Sequence, residues 1–119
     1  LETSDKIVSV TYPGLETDQY HALAQKYLPN GTCGVISFSI KGGRPAAVRF
    51  MDALELASIE VHVADIRTCV LHPASATHRQ LTEEQLVAAG IDGGLIRLSV
   101  GLEHVDDILA DVKQALDRV

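Results

Sequence analysis

Leu95-Ile96-Arg97-Leu98-Ser99-Val100 alternates strictly, with Ile96, Leu98 and Val100 on one side and Leu95, Arg97 and Ser99 on the other. A period of two marks a β-strand, and a charge in its middle must be matched or reach solvent. Gly34 to Ile40 repeats the pattern, setting Ile36, Phe38 and Ile40 against Val35, Ser37 and Ser39. Ile59, Val61 and Val63 alternate with Glu60 and His62, and Thr68 to Leu71 predicts a further strand that His72-Pro73 stops.

The helices fall between these strands. Thr17 opens one whose apolar face is Tyr20, Leu23, Ala24, Tyr27 and Leu28, and Pro29-Asn30-Gly31 ends it. Ile7 to Tyr12 before it reads as an extended lead-in, closed by the turn Pro13-Gly14. Lys41-Gly42-Gly43-Arg44-Pro45 is a turn, with Pro45 placed to start a helix along Ala47, Phe50, Met51 and Leu54. Thr82-Glu83-Glu84-Gln85 is a capping box with Leu81 and Leu86 as its staple, and Gly90 supplies the left-handed stop. A last helix carries Val105, Ile108, Leu109, Val112, Leu116 and Val119 as a stripe, with Asp106, Asp107, Asp111 and Lys113 outside. The fold class is α+β: a two-layer sandwich of about four mostly antiparallel strands with helices on one face.

The 119 residues suit a single domain, 1–119, without repeats or low-complexity runs. A net charge of −6 argues against nucleic acid or an anionic membrane as partner, and 4% aromatic residues without Trp argue against base stacking. No apolar run reaches the roughly 20 residues of a membrane span, and Leu1 to Asp5 does not read as a signal peptide. Cys33 and Cys69 stand in no metal or redox spacing, which reads as two buried free thiols and a cytoplasmic location.

Few residues point to chemistry. His21, His62, His72, His78 and His104 lack a dense ligand spacing, although the loop between His72 and His78 could bring those two together; no metal is expected. Cys69 lies inside an apolar strand, where a thiol is packing, and Ser75 lacks a nucleophile elbow. Arg97 has two readings. It lies on the open sheet face, paired with Glu60 or Asp65, or it is a planar fork held for a carboxylate or phosphate. The polar loop from His72 to His78 is the second candidate.

Two stretches also carry a resemblance. His72-Pro73-Ala74-Ser75-Ala76-Thr77-His78 and Ile96-Arg97-Leu98-Ser99-Val100-Gly101-Leu102-Glu103 resemble segments of the pyridoxal-phosphate-dependent enzymes of cysteine and methionine metabolism. Within that family the His-Pro-Ala-Ser segment is similar to O-acetylhomoserine sulfhydrylases. Tyr12-Pro13-Gly14-Leu15, the Gly34–Gly43 strand and turn, and the Phe50-to-Leu56 helix follow in order, so the likeness spans the chain. It covers the family's C-terminal domain alone, the small domain of a fold-type I enzyme.

The resemblance implies that Arg97 binds a substrate α-carboxylate and that Thr77 lies near the active site. The cofactor would be pyridoxal 5'-phosphate in the full-length parent, acting there as the electron sink. None is expected on this chain alone, because Lys6, Lys26, Lys41 and Lys113 match no Schiff-base motif and the cofactor domain is absent. No residue of this chain is then expected to be catalytic, and the parent would be a homo-oligomer acting on an O-acetylhomoserine-like amino acid. Methionine γ-lyase and cystathionine chemistry are the alternatives, and outside enzymes a free-standing amino-acid-binding or oligomerisation module. The pattern departs from the family at His62-Val63-Ala64-Asp65, which lacks a small turn that members carry there.

Overall fold

Cross-strand pairing builds the sheet around the strand that carries Arg97. The computed structural model describes all residues, Leu1–Val119. The strands are β1 (Ile7–Thr11), β2 (Val35–Ile40), β3 (Ser58–Ile59), β4 (Cys69–Leu71) and β5 (Leu95–Ser99). The helices are α1 (His21–Tyr27), α2 (Gly43–Ala53), α3 (Glu83–Ala88) and α4 (Val105–Leu116), and a 3₁₀ turn spans Pro73–Ser75. The sheet order is β1-β2-β5-β4-β3, with β5 at the centre. All pairings are antiparallel except β3 with β4. The lead-in segment is thus a fifth strand, paired with β2.

Alternation explains which layer forms. Ile36, Phe38, Ile40, Val70, Ile96 and Leu98 pack against Ala46, Ala47, Phe50 and Met51 of α2 and Ala115 and Leu116 of α4. Phe38 and Phe50 meet edge to face, with ring centroids 5.7 Å apart, and fully burying each contributes about 2–3 kcal/mol. A smaller cluster of Ala74, Leu86 and Ile91, with Leu81 and Leu95 against it, holds the 3₁₀ turn and α3 beside the start of β5.

The capping box forms in full. Thr82 Oγ1 accepts from Gln85 N at 3.3 Å, and Gln85 Oε1 accepts from Thr82 N at 2.9 Å. Replacing Thr82 with alanine is expected to cost about 1 kcal/mol in urea-unfolding free energy.

Four expectations give way to tertiary structure. Helix α1 starts four residues after Thr17, because the Asp18 carboxylate accepts from the backbone N–H of Tyr12 and of Tyr20, at 3.0 and 2.8 Å. Only Ala24 of its predicted face is buried, while Tyr20, Leu23, Tyr27 and Leu28 are exposed. The strand expected over 59–63 pairs only through Ser58 and Ile59 before the chain leaves the sheet. Cys33 is exposed and only Cys69 is buried, since Cys33 lies in the segment before β2 and not within a strand.

Asp111 provides the fourth. Its carboxylate is 6% exposed, not on the outside of α4. It accepts from the backbone N–H of Glu55, Leu56 and Ala57 at 2.8, 3.0 and 2.9 Å, and from Gln114 Nε2 at 3.0 Å. The segment between α2 and β3 is thereby tied to α4. Burial pushes the Asp111 carboxyl up, but these donors outweigh it and leave the group below its ordinary value. Val105 and Leu109, conversely, are exposed. They border a cleft of about 710 Å³ between α4, the N-terminal residues and the apolar end of the sheet. No helix is long and apolar enough to cross a membrane.

Candidate functional site

Arg97 lies on the sheet face that α2 and α4 leave open. Its direct cross-strand partners there are Ser37 on β2 and Leu71 on β4, so it rises between a small polar and an apolar side chain. The central position of β5 fixes its backbone by pairing on both sides.

Its partners are not the carboxylates that the strand pattern suggested. Nη2 donates to the backbone carbonyls of Val61 at 2.7 Å and His62 at 3.2 Å. Nε is buried and has no hydrogen-bond partner. Glu60 and Asp65 turn instead to Arg67, at 3.1 and 3.5 Å, and to His62 Nδ1, at 3.0 and 3.7 Å. The hydrogen bonds from Arg67 hold the Asp65 carboxyl below its usual value. Arg97 therefore has no carboxylate of its own. A fixed guanidinium with a buried, unpartnered donor can accept an anion at little cost in ordering.

The Val61–Ala64 loop lies against β5 because two side chains hold it. Besides Arg97, Ser99 Oγ accepts from Ala64 N at 3.1 Å. Ala64 has φ +58°, the only positive φ among the non-glycine residues. Beyond the loop, Thr68 N and Thr68 Oγ1 donate to Glu103 at 2.7 and 2.8 Å, and Gly101 N donates to Thr68 Oγ1 at 3.0 Å. A Cβ on Gly101 would fall on the backbone of Arg67 and Thr68. The Gly-x-Glu that follows β5 thus locks the start of β4 against its end.

The His72–His78 loop is ordered by a buried histidine. His72 is 3% exposed. Its Nε2–H donates to Gly93 O at 2.9 Å, which leaves Nδ1 to accept from Ser75 Oγ, also at 2.9 Å. The ring fastens the 3₁₀ turn to the loop before β5. His78 Nδ1 lies 2.9 Å from Thr77 Oγ1, so the two histidines make separate contacts. No group of three His, Cys, Asp or Glu side chains converges in a way that could hold a metal ion. Burial raises the Cys69 thiol above its ordinary pKa, as befits inert packing.

No lysine joins Arg97. Lys6 Nζ donates to the Leu116 and Val119 carbonyls, Lys41 Nζ to Asp5 O, and Lys26 lies 5.0 Å from the Tyr27 ring centroid. Lys113 is on α4, across the sheet from Arg97. The residues present offer neither an amine nor a phosphate cradle at the site, and so do not fit pyridoxal phosphate by themselves.

Among solved structures, this arrangement of sheet and helices is that of the small domain of fold-type I pyridoxal-phosphate enzymes. A structure from Campylobacter jejuni subsp. jejuni NCTC 11168, described as an O-acetylhomoserine (thiol)-lyase with a pyridoxyl-lysine phosphate, matches with a TM-score of 0.88. It is 41% identical over 98% of this chain and 28% of its own. The model for the Cys/Met metabolism PLP-dependent enzymes matches residues 1–117, and the chain belongs to that family. An O-acetyl-L-homoserine sulfhydrylase of Leptospira meyeri is 46% identical over 120 aligned residues, covering 100% of this chain. An L-methionine gamma-lyase of Fusobacterium nucleatum subsp. polymorphum is 45% identical over 119. The chain spans only 27% of the former and 30% of the latter.

Sequence reasoning placed Arg97 on the open face but missed Val61, His62, Ala64 and Ser99 around it. A lone serine in a strand and two backbone carbonyls leave no pattern in a sequence. The only signal was the short His62–Asp65 segment in the family comparison.

Proposed function

We propose that this chain is the C-terminal domain of a pyridoxal-phosphate-dependent enzyme of sulfur amino-acid metabolism, and that Arg97 binds the α-carboxylate of its substrate. The observation that carries this reading is the Arg97 guanidinium, rigidly mounted, without a carboxylate partner and with Nε buried and unpaired. A charged donor left in that state gains more from an incoming carboxylate than an exposed, hydrated arginine would. Holding the carboxylate also orients the bound substrate about Cα.

The reaction we assign is γ-replacement of O-acetylhomoserine. Sulfide or a thiol bonds to Cγ as acetate leaves, giving homocysteine or methionine. Support comes from the His-Pro-Ala-Ser segment and the likeness to sulfhydrylases. Thr77 belongs at the edge of the same site, presented by the turn that His72 fastens. The cofactor and its lysine are supplied from outside these 119 residues, and the isolated chain is inactive.

Steady-state assays of the full-length protein test the assignment. Homocysteine formation from O-acetylhomoserine and sulfide is expected to exceed α-keto acid release from methionine at least tenfold in kcat/KM. That ratio corresponds to about 1.4 kcal/mol of transition-state preference. The opposite ratio would make this a methionine γ-lyase domain, and the 119-residue chain alone is expected to catalyse neither reaction.

A further inference from the structure

We propose that Ser99 is a positioning residue for Arg97, acting through Ala64 and the two loop carbonyls that grip the guanidinium. The proposal rests on the reading of Arg97 as the carboxylate-binding side chain and adds the device that aims it.

The linkage is a closed circuit of five hydrogen-bonding groups. Arg97 and Ser99 point to the same face of β5, two residues apart. Ser99 Oγ accepts from Ala64 N at 3.1 Å, while Arg97 Nη2 donates to the carbonyls of Val61 and His62 at 2.7 and 3.2 Å. The chain between those contacts is only three or four residues long. Moving Ala64 away from β5 therefore moves the carbonyls that hold the arginine.

The loop is not relaxed in this shape. An alanine at φ +58° occupies a conformation that L residues with a Cβ avoid. Such a residue persists when its surroundings over-determine it. Ser99 holds this one on one side and Arg97 on the other. Ser99 is 2% exposed, so water cannot readily replace it as the acceptor for Ala64 N. The outer end of the loop is closed separately, with Asp65 Oδ1 accepting from Arg67 N at 3.0 Å and Ile66 O accepting from Leu102 N at 2.8 Å. Neither of these touches Arg97, which leaves the Ser99 contact as the one side-chain tie, besides those of Arg97 itself, between the loop and the strand that carries the arginine.

A free arginine side chain samples many rotamers, and a planar fork held by two carbonyls samples few. Removing the Ser99 hydroxyl is thus expected to loosen the guanidinium without removing its charge. The loss should fall on recognition of the carboxylate and not on the bond-making steps.

The test uses full-length, cofactor-loaded protein. Ser99→Ala is expected to raise KM for O-acetylhomoserine about tenfold, with kcat within about twofold and KM for sulfide unchanged. Inhibition by homoserine is expected to weaken by the same factor, while inhibition by 3-aminopropanol, its counterpart without the carboxylate, stays as in the unaltered protein. Ser99→Thr, which keeps the hydroxyl, is expected to restore most of the difference. If Ser99→Ala does not fold, Ser99→Cys takes its place, because sulfur is the weaker acceptor.

Arg97→Lys, measured in parallel, separates the two claims. If that change leaves KM for O-acetylhomoserine unaltered, the carboxylate reading fails and this proposal with it. A raised KM in Arg97→Lys together with an unchanged KM in Ser99→Ala overturns the Ser99 proposal alone. Equal weakening of homoserine and 3-aminopropanol would likewise overturn it, by showing a general structural defect.

Discussion

Truncating Arg97 to alanine in the full-length protein is expected to lower kcat/KM for the amino-acid substrate by roughly 30- to 5,000-fold. That range corresponds to about 2–5 kcal/mol, the cost of removing one partner from a buried, hydrogen-bonded charge pair. Most of the loss should appear in KM, because the carboxylate is present in the ground state and in the transition state alike. Stability should change little. The only hydrogen bonds its side chain makes within the chain are to the Val61 and His62 carbonyls at the edge of the loop. Steady-state kinetics beside a thermal melt would check both halves, and an unchanged kcat/KM would remove Arg97 from the site.

Asp111→Ala should do the reverse, destabilising the fold by about 3 kcal/mol at neutral pH. The substitution strips the acceptor from three backbone N–H groups at once, and each unsatisfied buried donor is costly. The effect depends on pH with a definite sign. The folded carboxyl titrates below its unfolded value, so its contribution is complete above the ordinary aspartate range near pH 4. It is lost as the pH falls through the folded value. Urea unfolding at pH 7 and pH 3 should therefore show the gap between the two proteins narrowing in acid. A gap that stayed constant would mean that the carboxylate charge is not its source.

Much of the fold could be read from the residues, and the reason is periodicity. Ile36, Phe38 and Ile40 share one side of their strand, and Ile96 and Leu98 one side of theirs, because side chains alternate across a strand, and all of them line the core. Thr82 and Gln85 form the cap that their spacing predicts, since both hydrogen bonds are local. Helix α1 and the 59–63 strand misled for one shared reason. Their apolar side chains satisfy a pattern, but Tyr20, Leu23, Val61 and Val63 remain exposed, because nothing in these 119 residues covers them. Pattern reports what could be buried, and a partner surface decides what is.

Asp111 and Arg97 show the same limit in polar groups. Each was placed on its element, yet neither partner could be named from the sequence. Charge alone puts Asp111 on the outside, and for Arg97 it offers Glu60 or Asp65 as one of two readings. Backbone donors and carbonyls more than thirty residues away claimed them instead. Every residue carries those groups, so composition does not mark which ones will be free to bond.

Alone, then, the sequence determined the strand faces, the capped helix before β5, the family likeness and the arginine on the open side. These follow from local repeats and from residue identity. The tertiary structure decided what Arg97 is held by, which acids are spent on Arg67, and why Ser99 and Ala64 belong to the same site. Those choices depend on where a loop without regular structure comes to rest, and hydrogen bonds between residues far apart in sequence settle that position.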